Sequence, residues 1–544
     1  VLSSPPSSPP SSTPRTFTAL LFLTVVGIFL GLQVQGGGFS SDLGGDPDEA
    51  AHAVTSLMVR DYLWQAPGRS PIAFASDYYE AFPKVALGHY PPGYYLTAAA
   101  ALSLGCDSRS LIILQALLLG TLAVAGWIFA RRWITQGDNV LALCPAILLL
   151  FHTEIIRVGC HVLADLQLAV LVFGALWAWH TYLRSPGWRP SLCFGLLAAA
   201  AILTKGSAVG LAGVPVLSLL LGRRVADLKK LHWWGSALPV LFLAGPWMVY
   251  SIRFTQEGFI AQSPLAYLVD ALHYYGETLP RVYGWPLLLL LIVSLLRLLR
   301  DTLLHRSADP TRVILWAGWI SMQILVMVIP TGFSPRYLIP GLLPGLLLIL
   351  IEARHGLIAT FARSASAPAT TVGLRAAVLA LTICTVFLTR NDRPKTVSGF
   401  SETVHRLLRE SPDRAKQVWL VSSDPRGEGA VIAEAAFRTP DRTRGALVVH
   451  RGTKALVDTD WVGKTYQSRF SDSRSLLNIL DQLQIDTVMV DLSMDPTLVA
   501  AHESALKAAL ESPNSGWKLT WRQTITRTFG PVHGDLWVFR RTPT

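Results

Sequence analysis

The segment YPPGYYLTAAAALSLG, residues 90–105, decides how the chain is threaded. It is apolar enough to suggest a membrane span. It is nevertheless short of the ~20 residues a helix needs to cross the hydrocarbon core, and a Pro pair stands near its start. Counted as a span, it would invert every later segment. The basic loops argue against that. Arg131/Arg132, Arg184/Arg189, Arg223/Arg224/Lys229/Lys230, Arg297/Arg300/Arg306/Arg312 and Arg354/Arg363/Arg375 occupy every second loop, as basic residues do in loops that stay in the cytoplasm. Residues 90–105 therefore read as a juxtamembrane or re-entrant helix on the outer side. The N-terminus is then inside and the C-terminal part outside.

Working outward, apolar runs recur near 17–34, 110–130, 139–153, 165–183, 191–204, 207–222, 235–252, 285–299, 313–330, 336–352 and 373–389. Hydrophobic residues make up 51% of the 544-residue chain and charged residues only 15%, below the roughly 25% of soluble domains. The pattern predicts a polytopic α-helical membrane protein of about eleven spans. Its first outer loop, about 36–109, carries juxtamembrane helices, and a C-terminal soluble α/β domain follows. Residues 1–16 read as a disordered, Ser/Pro-rich cytoplasmic tail, 17–390 as the transmembrane domain and 391–544 as the extracytoplasmic domain. The first span reads as an uncleaved anchor, because no small-x-small cleavage site follows it.

The formal net charge of +11 is accounted for by the cytoplasmic loops, and no nucleic-acid motif is present. Nucleic acid is therefore not an expected partner. None of the five cysteines is spaced for metal binding. Cys106 and Cys160 both fall in outer loops, where one disulfide is compatible with the layout. The chain has no Asn-x-Ser/Thr sequon, in line with a bacterial cytoplasmic (inner) membrane.

The first outer loop opens with GGDPDEAAHA, residues 44–53, where Asp46, Asp48 and Glu49 fall close together. Asp46 suits a helix N-cap, Pro47 the first helical position and Glu49 the third, as in a capping box. That helix, 46–63, is expected on the outer membrane surface. Capping accounts for Asp46 and Glu49 but not for Asp48, which is left as a candidate catalytic or metal-binding acid. A helix N-terminus stabilises carboxylate, so Asp48 is a weak base unless the bound substrate removes water from it.

Other polar residues fall on the same outer face. Asp165 opens a span, and His161, four residues earlier, is expected on the same helical face. Lys205, in LTKG, ends the fifth apolar run on the outer side, and SPRYLIPG places Arg336 and Tyr337 at another outer boundary. A polar interfacial cap accounts for the acid and histidine, and snorkelling for the cations. Read together, ionisable groups at membrane depth more often line a site. Cations there suit a lipid phosphate, and carboxylates suit activation of a hydroxyl or amine.

The series DEAAHA, YPPGYY, HVLADLQL, ILTKG, GPW (245–247) and PRYLIPGLLP (335–344) resembles the GT-C membrane glycosyltransferases. The branch of protein O-mannosyltransferases and lipid A aminoarabinose transferases is the most similar, over roughly residues 15–350. The resemblance implies a glycosyltransferase whose donor is a polyprenyl-phosphate sugar, with inverting transfer on the outer side to a protein, lipid or glycan acceptor. It also implies that Asp48 and Asp165 are catalytic and that Lys205, Arg336 and Tyr337 lie at the donor phosphate. Glu49, His161, His89 and Tyr90 are further candidates. His89-Tyr90 stands where the aminoarabinose transferases carry Glu-Lys, which speaks against that sugar. No resident cofactor is implied, and a divalent metal is compatible with the acids.

Two other classes fit a polytopic chain: a lipid-linked sugar flippase and a non-catalytic sugar-lipid binding protein. A flippase would carry internal repeats and broken midplane helices, and no repeat is visible. In the C-terminal domain QVWLVSS (417–423), GALVVH (445–450) and DTVMVDL (486–492) read as strands and SLLNILDQL (475–483) as a helix. The turn in SDPRGEGAVIAEAAF (423–437) reads as an ordinary strand-to-helix turn or as an anion site at the helix N-terminus.

Overall fold

The computed structural model describes residues 15–542, apart from 87, 106, 258, 260–261, 305–308, 362–366, 390–393, 411–415, 440–441, 443–444, 460–465, 495–498 and 529–532. Most of the Ser/Pro tail and Cys106, with its disulfide, lie outside the described residues.

The first nine helices are α1 (Arg15–Gln35), α2 (Glu49–Gln65), α3 (Pro71–Ala81), α4 (Gly93–Gly105), α5 (Arg109–Trp133), α6 (Asn139–Leu150), α7 (Thr153–Gly159), α8 (Asp165–Arg184) and α9 (Trp188–Thr204). Among the described residues, six helices are long and apolar enough to cross a membrane: α1, α5, α8, Leu231–Phe254, Pro310–Val328 and Pro335–Gly356. Two bent pairs pass the same test together: α6 with α7, and Pro264–Tyr283 with Trp285–Leu303. Three shorter apolar helices, α9, Gly206–Leu221 and Arg375–Phe387, complete the set. Every expected span falls on one of these elements. Pro335–Gly356 is almost wholly enclosed by the other helices over its most apolar stretch, which makes it the centre of the bundle.

At one end of the bundle the basic loops are tied together. Arg354 donates to the Ile134 carbonyl at 2.8 Å, and Arg375 lies 2.9 Å from Asp138. Arg297 and Arg312 clamp the buried Glu352. Pro264–Tyr283 turns through 111° before the next helix. Gly284, at φ +71°, makes that corner in a conformation side chains disfavour.

The decisive segment forms α4, whose 13 residues extend only about 20 Å, too short to span the core. Tyr94, Tyr95, Ala98 and Leu102 are buried. A Cβ at Gly93 would stand 2.7 Å from the Leu203 carbonyl, so α4 abuts the end of α9. The helix expected on the membrane surface lies elsewhere. Ala50, Ala53, Val54, Leu57 and Met58 of α2 are buried in a core shared with the C-terminal region. This apolar face covers protein rather than lipid.

The C-terminal region is α/β. Its strands are β1 (Gln417–Ser422), β2 (Leu447–Arg451), β3 (Val457–Asp458), β4 (Gln467–Ser468), β5 (Thr487–Asp491), β6 (Trp517–Thr526) and β7 (His533–Arg541). The main sheet has the order β2-β1-β5-β7-β6, parallel across β2-β1-β5 and antiparallel beyond. Helix Pro425–Arg438 joins one sheet face to α2–α4 in a single apolar core. Helices Ser473–Gln482 and Ala501–Glu511 cover the other face.

The strand-to-helix turn at 423–427 binds its own chain. Asp424 caps that helix by accepting from Gly427 N at 2.9 Å. Arg527 donates to Asp424 at 2.8 Å, and also to Ser423, Ser493 and Asp491. The crevice at the strand ends, where open α/β sheets receive ligands, is thus occupied by an arginine.

Candidate functional site

The first loop begins α2 at Glu49, so Asp48 is its N-cap residue, but its side chain makes no capping bond. Asp46 instead accepts from Asp48 N at 3.1 Å. Glu49 reaches back to Gly45 N at 3.0 Å rather than to Asp46, so the expected capping box is replaced by a tighter loop. The Asp48 carboxylate is left free to meet Arg336. Arg336 lies in the single turn Pro335–Leu338 and donates through Nη1 to Asp46 at 3.2 Å and through Nη2 to Asp48 at 2.5 Å.

A second pair is built from α8 and α9. Asp165 is the first residue of α8, and Lys205 is the extended C-cap of α9. Gln167 donates to both the Gly93 carbonyl and Thr204, at 3.2 and 3.1 Å, which holds the starts of α4 and α8 against the end of α9. Lys205 Nζ then lies 2.7 Å from Asp165 Oδ1. The other oxygen, Oδ2, is buried with no hydrogen-bond partner among the described residues.

Tyr337 joins the two pairs. Lys205 Nζ stands 5.1 Å and Arg336 Cζ 5.5 Å from its ring centroid, within cation–π range. Burial is the largest single influence on Asp48 and opposes its ionisation, but the Arg336 guanidinium, with His52 and Lys205 adding to it, holds the carboxyl down at about 2. His52 lies one helical turn beyond Asp48. Its Nδ1 is 3.2 Å from the Tyr95 hydroxyl, and its ring packs 4.7 Å from Tyr90. Burial pushes His52 down to about 4 against the pull of Asp48, so the imidazole is neutral at pH 7.

Asp48, Asp165, Lys205, Arg336 and Tyr337 are thus brought together, with Tyr90 beside them through His52. The other candidates lie apart. His89 packs edge-on against Phe254 at 5.7 Å. Glu49 turns away from Arg336 and pairs with Lys395 at 2.7 Å. His161 does not share a helical face with Asp165, because α7 ends at Gly159 and α8 starts at Asp165. Val162 N donates to Glu49 Oε1 at 3.3 Å instead of continuing a helix. His161 Nδ1 is bound to the Arg157 carbonyl at 2.6 Å.

Three residues escaped the sequence reading. His52 was findable, since its spacing from Asp48 puts both on one helical face. Lys84, whose Nζ donates to the Pro425 carbonyl at 2.9 Å, is pushed down to about 8 by burial and carries no local signal. Nor does Lys395. Among the described residues, no three His, Cys, Asp or Glu are grouped to hold a metal ion, and each of the two acids already faces a protein cation.

A multi-pass membrane protein with two carboxylate–cation pairs meeting at one tyrosine is the class that fold and site define. Solved structures share the fold. The oligosaccharyltransferase from Archaeoglobus fulgidus, tethered with an acceptor peptide, superposes with a TM-score of 0.53 at 12% identity, over 88% of this chain and 70% of that one. The Archaeoglobus fulgidus oligosaccharyltransferase AglB, in complex with an inhibitory peptide and a dolichol-phosphate, gives 0.53 at 11% identity, over 87% and 69%. ArnT from Cupriavidus metallidurans, bound to undecaprenyl phosphate, gives 0.42 at 16% identity, over 80% and 77%. The chain has the GT-C fold of membrane glycosyltransferases. No protein-family model and no curated protein matches the sequence.

Proposed function

We propose that the chain is a glycosyltransferase that moves a sugar from a polyprenyl-phosphate donor to an acceptor on the outer side of a bacterial inner membrane, with inversion at the anomeric carbon. The observation that carries this reading is the pairing of two carboxylates, the buried Asp165 and the half-buried Asp48, with two cations around Tyr337. A lipid phosphate arriving at that depth competes with Asp48 for Arg336 and with Asp165 for Lys205. Binding it therefore releases the acids as it neutralises the cations.

In the step itself, the acceptor hydroxyl or amine attacks the anomeric carbon. The bond from that carbon to the phosphate oxygen breaks, and polyprenyl phosphate leaves with the electron pair. Asp48 orients the acceptor and takes its proton. Arg336 and Lys205 stabilise the charge growing on the departing phosphate. Before the donor binds, Asp165 holds Lys205 in place. The leaving group is already anionic, so positioning and electrostatics supply most of the rate.

The test uses purified protein in nanodiscs with a panel of undecaprenyl-phosphate-linked pentoses and hexoses. Release of undecaprenyl phosphate is the readout. Turnover of at least one donor, lowered by about 10²–10⁴ in Asp48→Asn with donor binding kept, is expected. Equal turnover in wild type and Asp48→Asn would remove Asp48 from the chemistry.

A further inference from the structure

Glu49 follows Asp48, and none of its side chain is exposed. Its two oxygens have three partners: Gly45 N at 3.0 Å, Val162 N at 3.3 Å and Lys395 Nζ at 2.7 Å. Gly45 belongs to the loop that ends in Asp48, and Val162 lies three residues before Asp165. Lys395 comes 346 residues after Glu49, in the strap leading into the α/β region, and its side chain is 1% exposed. The strap is itself threaded into the loop. Lys395 N donates to the Gly36 carbonyl at 2.9 Å, and Ser41 Oγ donates to the Lys395 carbonyl at 2.6 Å. Gly37, at φ +76°, makes the passage possible, since a Cβ there would collide with the Lys395 carbonyl.

We propose that Lys395 is a positioning residue for both acids: through Glu49 it locks loop 45–49 to segment 160–165 and so fixes Asp48 relative to Asp165. This rests on the reading of Asp48 as catalytic. An ion pair sealed from water holds its geometry, because charge-assisted bonds are short and strong where the dielectric is low. Catalysis needs that precision, since a displacement of about 1 Å can cost about a hundredfold in rate. The α/β region would then contribute to activity by bracing the loop, without touching substrate.

Arg442 provides the contrast. It also ties the α/β region to α2, but at the far end, with Nη1 3.2 Å from Asp61 Oδ2. The full chain is compared in nanodiscs as wild type, Lys395→Met, Glu49→Gln/Lys395→Met, Arg442→Gln and Asp48→Asn. The readouts are turnover of the same donor panel below every melting temperature, and hydrogen exchange. The double variant leaves no buried charge unpaired, so it folds even if Lys395→Met does not. Its single remaining carbonyl oxygen cannot serve both Gly45 N and Val162 N.

Both Lys395 variants should lose about ten- to a hundredfold in kcat with donor KM nearly unchanged, and should exchange faster at 44–49 and 160–165. Arg442→Gln should melt earlier yet keep wild-type kcat and wild-type exchange there. Unchanged exchange at both segments in the double variant would overturn the inference, whether or not any donor turns over. So would wild-type kcat in the double variant while Asp48→Asn is inactive. An active Asp48→Asn would instead overturn the reading on which the inference rests.

Discussion

Arg336 Nη2 lies 2.5 Å from Asp48 Oδ2, joining the first loop to the start of the central helix of the bundle. Burial would favour protonated Asp48, and Arg336 reverses that, holding the carboxyl at about 2. A pKa depressed in the folded state adds stability that is complete above the unfolded value of about 4. That contribution is lost as pH falls through about 2. The melting-temperature gap between wild type and Arg336→Gln, where burial raises the Asp48 pKa unopposed by Arg336, should therefore be constant only above that raised value and shrink as pH falls from there towards about 2. Thermal unfolding from pH 2 to 6 measures this, and a gap that persists undiminished at pH 2 would mean that ionisation of Asp48 contributes nothing.

Asp48 and Asp46 share Arg336 but should respond differently to substitution. Asp48→Asn removes the proton acceptor and should lower kcat by about 10²–10⁴, with donor affinity kept or raised because Arg336 no longer has the Asp48 carboxylate to leave. Asp46→Ala removes the bond to Asp48 N and one Arg336 contact. It should cost ~1 kcal/mol of stability, the usual worth of a lost hydrogen bond, and leave turnover measurable. Steady-state kinetics of the two variants decides between them, and equal, total loss in both would assign the chemistry to the wrong acid.

What was legible in the sequence follows from the range of each interaction. Spans are written in consecutive apolar residues, so every expected one has its helix. The loop acids and boundary cations were legible because each breaks an apolar pattern locally. Pro264–Tyr283 was not, because the exposed Asp270, His273 and Glu277 break its apolar run in sequence, and it is apolar enough to span only together with its neighbour. The burial of α2 was not legible either. An apolar helix face reads alike whether it meets lipid or helix Pro425–Arg438. Glu49 looked like a capping residue because its partner Lys395 is 346 positions away, and no local rule reaches that far.

The bundle also makes a prediction about sidedness. The basic loops gather at one end, away from the acidic loop, and the charge rule puts that end in the cytoplasm. Single cysteines introduced at Ala226 and Asn514, in a background without native cysteines, should label oppositely in intact cells. Ala226→Cys should resist an impermeant maleimide, and Asn514→Cys should react. Labelling of Ala226→Cys alone would put the site on the cytoplasmic face and end the proposed mechanism.

The two cations should prove unequal. Arg336 presents a planar fork and here spans two carboxylates. The same fork can hold two phosphate oxygens, whereas Lys205 offers a point charge. Each must exchange a protein carboxylate for the donor phosphate, and the exchange is favourable only if the incoming contacts match those lost. Arg336→Lys keeps the charge but cannot bridge two oxygens, so it should remain at least about tenfold impaired in kcat/KM. Lys205→Ala also leaves Asp165 buried without its cation, and breaking such a pair costs about 3–5 kcal/mol. Its melting temperature should therefore fall together with its turnover. Lys205→Ala/Asp165→Asn removes both charges and should recover stability without recovering turnover. Binding of undecaprenyl phosphate, melting temperature and donor kinetics on the three variants separate the two effects. Wild-type kinetics in Arg336→Lys and in the Lys205→Ala/Asp165→Asn variant would mean that both cations serve only to neutralise the acids, and the phosphate would then have to bind elsewhere.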